Sequence, residues 1–120
     1  MILVDTSVWV NHLKNGDPLL SKLLMDGEVV CHPFIVGELA CGSLSDRGKF
    51  LMLLKELPMA TVIDHDEFMT FVEKQKLWGQ GLGFVDVHLL ASARLNGVKL
   101  WTADNSLQKA AHKYGLIFQV

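Results

Sequence analysis

Five short apolar runs punctuate the chain: Met1 to Val4, Glu28 to Cys31, Ala60 to Ile63, Val98 to Trp101 and Leu116 to Val120. Their length and their share of β-branched residues predict strands. Between them, apolar positions recur at intervals of three and four, as in Leu19, Leu20, Leu23, Leu24 and again in Phe50, Leu51, Leu53, Leu54, Leu57, the period of helices packed on one side. Strand and helix alternate to the end of the chain. Because the strands are mostly apolar rather than alternating, both of their faces are expected to be covered. The expected fold class is therefore α/β, a three-layer arrangement with a central parallel sheet of about five strands flanked by helices and right-handed crossovers.

Boundary signals agree with that pattern. Gly16-Asp17-Pro18 opens a second helix, Pro33 suits a first helical turn, and Gly42 follows a third helix. Asp64 and Glu67 form a capping-box start for a helix carrying Phe68, Phe71, Val72 and Gln75. Helical hairpins are predicted in the first three crossovers. No repeat or linker interrupts the pattern, so residues 1–120 read as one domain.

Composition narrows the classes. A chain of 120 residues that is 50% apolar can build a sizeable core, and 11 Lys and Arg against 13 Asp and Glu excludes a basic arm or disordered tail. No uncharged apolar stretch approaches the roughly 18 residues of a membrane span, and Asp5 interrupts the opening apolar run, so a cytoplasmic protein is expected. Cys31 and Cys41 are accordingly expected to be two buried thiols.

In an open parallel sheet, ligands collect beyond the carboxyl ends of the strands, where strand order reverses. The first strand ends at Asp5 and the fourth runs into Thr102-Ala103-Asp104, which places two carboxylates on one edge. Asp86 falls in the first turn of the helix from about Phe84 to Leu95. Each of these aspartates sits where a helix begins, so helix capping accounts for any one of them alone. Glu38 is different. It lies mid-helix with Phe34, Ile35, Cys41 and Gly42 three and four positions away, and no Lys or Arg in that helix offers a partner, so a bound cation would offset its burial. Clustered carboxylates without an interleaved base suit hard cations such as Mg²⁺ or Mn²⁺ and phosphate chemistry. Without these four acids the tally is 11 positive against 9 negative, which permits a nucleic-acid partner without demanding one.

These motifs, taken in order, resemble those of the PIN-domain ribonucleases, and in particular the VapC toxins of bacterial toxin–antitoxin pairs. Val4-Asp5-Thr6-Ser7 is similar to the first acidic motif and Gly37-Glu38-Leu39 to the second. Gly81-Leu82-Gly83-Phe84-Val85-Asp86 followed by Leu89-Leu90-Ala91-Ser92-Ala93 is similar to the third, and Thr102-Ala103-Asp104 to the fourth. The resemblance spans the chain. It implies a PIN-like fold and a Mg²⁺- or Mn²⁺-dependent endoribonuclease with Asp5, Glu38, Asp86 and Asp104 as the acidic, metal-binding and catalytic set. It also implies supporting hydroxyls from Thr6, Ser7 or Thr102. The implied partners are an RNA substrate, a cognate antitoxin protein, and a second copy of the chain or a toxin–antitoxin hetero-oligomer. The chain departs from the pattern after Asp104, where Asn105-Ser106-Leu107 lacks the aromatic residue often found near that place.

Other features carry weaker readings. Gly79-Gln80-Gly81-Leu82-Gly83 follows a helix and lacks phosphate-loop spacing, so a turn is expected. His12, His32, His65, His88 and His112 show no metal-ligand spacing. Trp101 is expected in the core, Trp9 and Trp78 are open to base stacking, and Arg47 and Lys49 to phosphate contact. The first two helices carry Val8, Trp9, Leu13, Leu19, Leu20, Leu23 and Leu24, an apolar excess that points to contact with another chain. Three readings compete with a nuclease: a noncatalytic RNA- or protein-binding relative, a phosphoacceptor receiver domain using Asp64 and Thr102, and a dehalogenase-like phosphatase. The receiver needs a Lys after its last strand, and the phosphatase an Asp in place of Ser7.

Overall fold

The computed structural model describes residues 1–120. Its strands are β1 (Ile2–Val4), β2 (Val29–Val30) and β3 (Lys99–Trp101). Its helices are α1 (Thr6–Asn15), α2 (Pro18–Met25), α3 (Pro33–Ala40), α4 (Arg47–Lys55), α5 (His65–Gln75), α6 (Phe84–Asn96) and α7 (Asn105–Lys113). Helix pairs fill the first three crossovers, as the apolar periodicity predicts. No helix is long and apolar enough to cross a membrane.

The strands pair in the order β2-β1-β3, all parallel, with Leu3 opposite Val30 on one side and Leu100 on the other. Of the five expected strands, the two outermost are each reduced to a single bridge, Cys31 with Met59 and Leu100 with Ile117. Prolines on both sides of the bridge account for the first shortening. The Cys31 N–H donates to the Pro58 carbonyl and the Ala60 N–H to the Cys31 carbonyl, but neither Pro58 nor Pro33 has an N–H to extend the ladder in either direction. Counting these bridges, the chain steps outward from β1 through β2 to Met59, then returns to the far side of β1 for β3 and Ile117. That reversal is the switch point, and it lies between β1 and β3.

One continuous core holds the layers together, with Leu3, Val4, Ile35, Leu89, Leu90 and Leu100 among its most enclosed side chains. Helix α6 lies deepest. Every residue from Val87 to Ala93 is buried, because the helix packs on α5, α7 and β3. Trp9 and Trp101 both belong to the core, whereas Trp78 is exposed. The apolar excess of the first crossover is largely absorbed: Val8, Trp9 and Leu20 are buried, Leu19, Leu23 and Leu24 pack against the core, and only Leu13 is substantially exposed.

The cysteines correct the expectation of two buried thiols. Cys31, at the end of β2, is fully enclosed, and burial pushes its thiol up to about 11. Cys41 is exposed at the end of α3. Since the thiolate is the reactive species, the native protein should consume one equivalent of a thiol reagent and the unfolded protein two. A Cys41→Ser variant should be inert until denatured, and native labelling of both thiols would show that the β2 edge opens.

Candidate active site

Helix starts at the carboxyl edge of the sheet position the acids. Asp5 ends β1 and caps α1, its Oδ1 accepting from the Thr6 N–H at 2.7 Å. Asp104 follows β3 and caps α7, accepting from the Leu107 N–H at 2.9 Å. Asp86 sits in the first turn of α6 and reaches back to the Gly83 N–H at 2.9 Å. The capping role foreseen for all three is real. It uses one oxygen of each carboxylate, and at Asp86 and Asp104 it leaves the second without a protein donor.

The three hydroxyls named from the sequence all join this edge. Thr102 donates to Asp5 Oδ2 at 2.7 Å, and its own oxygen accepts from the Asp104 N–H at 3.0 Å. Ser7 donates to the same Asp5 oxygen at 3.3 Å and accepts from the Ala103 N–H at 3.2 Å. Thr6 donates to Glu38 Oε1 at 2.7 Å, tying α3 to α1. Asp5 and Thr102 are buried, so their mutual bond is shielded from water.

Glu38 corrects one step of the sequence reasoning. It is exposed, so no cost of burial calls for a cation there. Its apolar neighbours Ile35 and Leu39 turn inward to the core, and Glu38 occupies the side facing α1. What it retains is an oxygen without a protein donor. Asp86 Oδ1 and Asp104 Oδ2 are likewise free of protein hydrogen bonds. No Lys or Arg neutralises the set, since the two ion pairs, Met1 with Glu28 and Lys22 with Asp26, lie elsewhere.

Mutual repulsion is felt at Asp86. Its carboxyl is raised above the ordinary carboxylate value, first by burial and then by the charges of Asp104 and Asp5, against the lowering effect of the Gly83 N–H. The side chains stop short of enclosing an ion: no three carboxylate, imidazole or thiolate groups converge closely enough to hold a metal. A cavity of about 520 Å³ opens beside Thr6 and Glu38 and is walled by Leu13, Lys14, Leu39 and Leu44.

The glycine-rich segment is a turn. Gly81 has φ +76°, and a Cβ there would stand 2.7 Å from Ser106 Oγ on α7. It lets the loop before α6 close on the start of α7, bringing Asp86 toward Asp104. His88 is buried among Phe34, Phe68 and Phe84, and burial lowers its basicity. His32 caps α3 through its Nδ1, which accepts from the Phe34 N–H at 2.9 Å, while its Nε2 meets Ser92 Oγ at 3.1 Å. Burial lowers His32 to about 4, so the ring is neutral and Nε2 carries the proton that Ser92 accepts. Arg47 belongs to α4 and donates to the Ala40 carbonyl at 3.0 Å, which makes it a link between helices. Sequence reasoning passed over Phe84, whose exposure only the packing of α5 and α6 reveals.

The PIN domain profile matches residues 2–113. The chain belongs to the PIN-domain family. It is 47% identical over 117 residues to Ribonuclease VapC32 of Mycobacterium tuberculosis, in both the CDC 1551 and H37Rv strains, covering 97% of this chain and 94% of the relative. The crystal structure of PAE2754 from Pyrobaculum aerophilum shares the fold at TM-score 0.64 with 18% identity, covering 90% of this chain and 82% of that one. A PIN domain leaves no room for the receiver reading, and Asp64 serves as the cap of α5.

Replacing Asp86 by Asn tests the repulsion. A carboxyl raised in the folded state makes folding less favourable once it ionises, so that penalty is present at neutral pH and fades as pH falls through its folded value. Asn keeps an acceptor for Gly83. Asp86→Asn should therefore melt higher than the parent at pH 7 in chelator, with the difference shrinking as pH falls toward the ordinary carboxylate value of about 4 and absent below it. A lower melting temperature at pH 7 would mean that capping outweighs repulsion.

Proposed function

We propose that the chain is a metal-dependent endoribonuclease, the toxin of a toxin–antitoxin pair, acting in the cytoplasm as a single PIN domain. One observation carries this reading. Around Asp5, which three protein donors hold, stand Glu38, Asp86 and Asp104, each with one oxygen that no protein donor occupies and none with a cationic partner. An all-oxygen set of this kind fits Mg²⁺ or Mn²⁺ and is poor for zinc. When bound, such an ion supplies Lewis acidity at a phosphoryl oxygen and lowers the pKa of water.

The chain's own residues prepare that chemistry. Thr102 and Ser7 fix the orientation of the Asp5 carboxylate by donating to it. Thr102 simultaneously orients the Asp104 backbone, so the acids at the ends of β1 and β3 are set by one hydroxyl. Thr6 holds Glu38 toward α1. Asp86, whose carboxyl is raised above the ordinary value by burial, would be favoured in its charged form by a cation. The substrate is RNA, in keeping with the name of the 47% identical relative. The antitoxin is proposed to lie along the cavity beside α1 and α3, where a basic side chain would reach Glu38.

Asp5→Asn and Asp104→Asn should each abolish RNA cleavage, by a factor of a hundred or more on the order of one lost metal ligand, while the fold persists. Glu38→Gln separates the metal role from capping, because Glu38 caps nothing. Full activity of Glu38→Gln at saturating Mn²⁺ would remove Glu38 from the site.

Metal should also stabilise the protein by mass action. A cation held only by the folded state at a hundredfold excess over its Kd adds about 2.7 kcal/mol. Thermal unfolding in chelator, Mg²⁺ and Mn²⁺ should show the melting temperature rising with either ion, and an unchanged melting temperature would count against binding before RNA arrives.

A further inference from the structure

An acidic centre in a chain of net charge −2 attracts RNA poorly through charge alone, so contacts to the bases must supply part of the affinity. Phe84 is placed for that. It occupies the first position of α6, immediately after Gly83, whose N–H holds Asp86. Its side chain is 56% exposed, an unusual place for a ring that three other rings hold still. Phe68 lies 4.8 Å away at a 41° tilt, His88 4.7 Å away edge-on, and Phe34 6.1 Å away and near parallel at 22°. Phe68 and His88 are buried, so the support is anchored in the core.

The supporting ring of Phe34 belongs to the helix that carries Glu38, which lies one turn further on. Phe84 and Phe34 therefore join the two acid-bearing helices, α6 and α3. Lone exposed apolar side chains are ordinary on protein surfaces. This one is distinguished by its contacts with three neighbouring rings, which restrict its rotation, and by its position in the same helical turn as Asp86. A ring already fixed loses little conformational freedom when a second ring settles on it, so more of the stacking energy appears as affinity. Trp78, 60% exposed at the other end of the glycine turn, has no ring neighbour and lacks that advantage.

Building on the ribonuclease reading, we infer that Phe84 is a substrate-positioning residue, the platform on which a base beside the scissile phosphodiester of single-stranded RNA stacks. Stacking needs only a planar face, so the platform accepts all four bases, leaving sequence choice to other contacts. Being uncharged, its contribution persists at high salt.

The test uses a single-stranded oligoribonucleotide bearing 2-aminopurine at successive positions, with cleavage and binding read separately. In the cleavage-blocked Asp5→Asn protein, binding should quench 2-aminopurine at one position. Adding Phe84→Leu, which keeps an apolar side chain but removes the ring, should abolish that quenching and weaken RNA binding about tenfold at both low and high salt. Phe84→Trp should restore both. In the otherwise unaltered chain, Phe84→Leu should lower kcat/KM about tenfold with Mn²⁺ affinity unchanged, and Met25→Ser, a loss of exposed apolar surface on α2, should change nothing. Unchanged quenching and affinity in Phe84→Leu would overturn the inference. So would failure of Phe84→Trp to rescue, or a loss of affinity confined to an antitoxin peptide. Absence of cleavage by the unaltered protein with any divalent metal would defeat the ribonuclease reading instead, while quenching at one position would still report the stacked base.

Discussion

The Thr102 hydroxyl donates to the buried Asp5 carboxylate and accepts from the Asp104 N–H, and the carboxyl edge of the sheet is organised around that pair of bonds. Charges of the same sign repel strongly in a partly buried setting, and without compensating donors one of them would take up a proton. Here the compensation is distributed. Asp5 receives the Thr6 N–H, the Thr102 hydroxyl and the Ser7 hydroxyl, while Asp86 and Asp104 each receive one backbone N–H at the start of a helix, where partial positive charge favours an anion. Asp86 has the least help relative to its burial, and its raised carboxyl is the residue of that imbalance.

Capping and metal chemistry are alternatives only if each carboxylate is treated as a single acceptor. A carboxylate has two oxygens, and at Asp86 and Asp104 the structure divides them, one to a helix start and one free of protein donors. The caps then serve the site, because they restrain the torsions of the side chains and aim the second oxygen outward. The same economy appears at Gly81. Its positive φ and its missing Cβ allow the turn before α6 to approach Ser106, which draws the starts of α6 and α7 together. The glycine-rich segment, expected from its spacing to be a turn, thus acts as a spacer between two acid-bearing helices.

The fold and the family agree from independent directions. Parallel strands buried on both faces, with the chain reversing between β1 and β3, put Asp5 and Asp104 on adjacent strand ends. The sequence similarity spans nearly the whole chain. The chemistry of the donor set supports the proposed metal, and the 47% identical ribonuclease relative supports the proposed RNA substrate and antitoxin. The surroundings of α3 illustrate why side-chain context matters: His32 caps that helix as a neutral imidazole, Thr6 holds Glu38 at its far end, and the ring of Phe34 turns toward α6.

Local pattern alone determined the alternation of strands and helices, the helix starts at Asp17-Pro18 and Asp64, and the order of the four acidic motifs. Those features depend on neighbours within a few residues: apolar period, capping geometry and the fixed φ of proline. The lengths of the outer strands, the exposure of Glu38 and Cys41, the burial of Trp9 and the exposure of Phe84 were decided by tertiary structure. Each depends on which side of an element meets another element distant in sequence. Glu38 shows the limit most clearly. Its neighbours along the helix are apolar, yet Ile35 and Leu39 take the core-facing side and leave Glu38 toward α1 and solvent, a choice of helix rotation that only the packing of α3 on α1 and α4 makes.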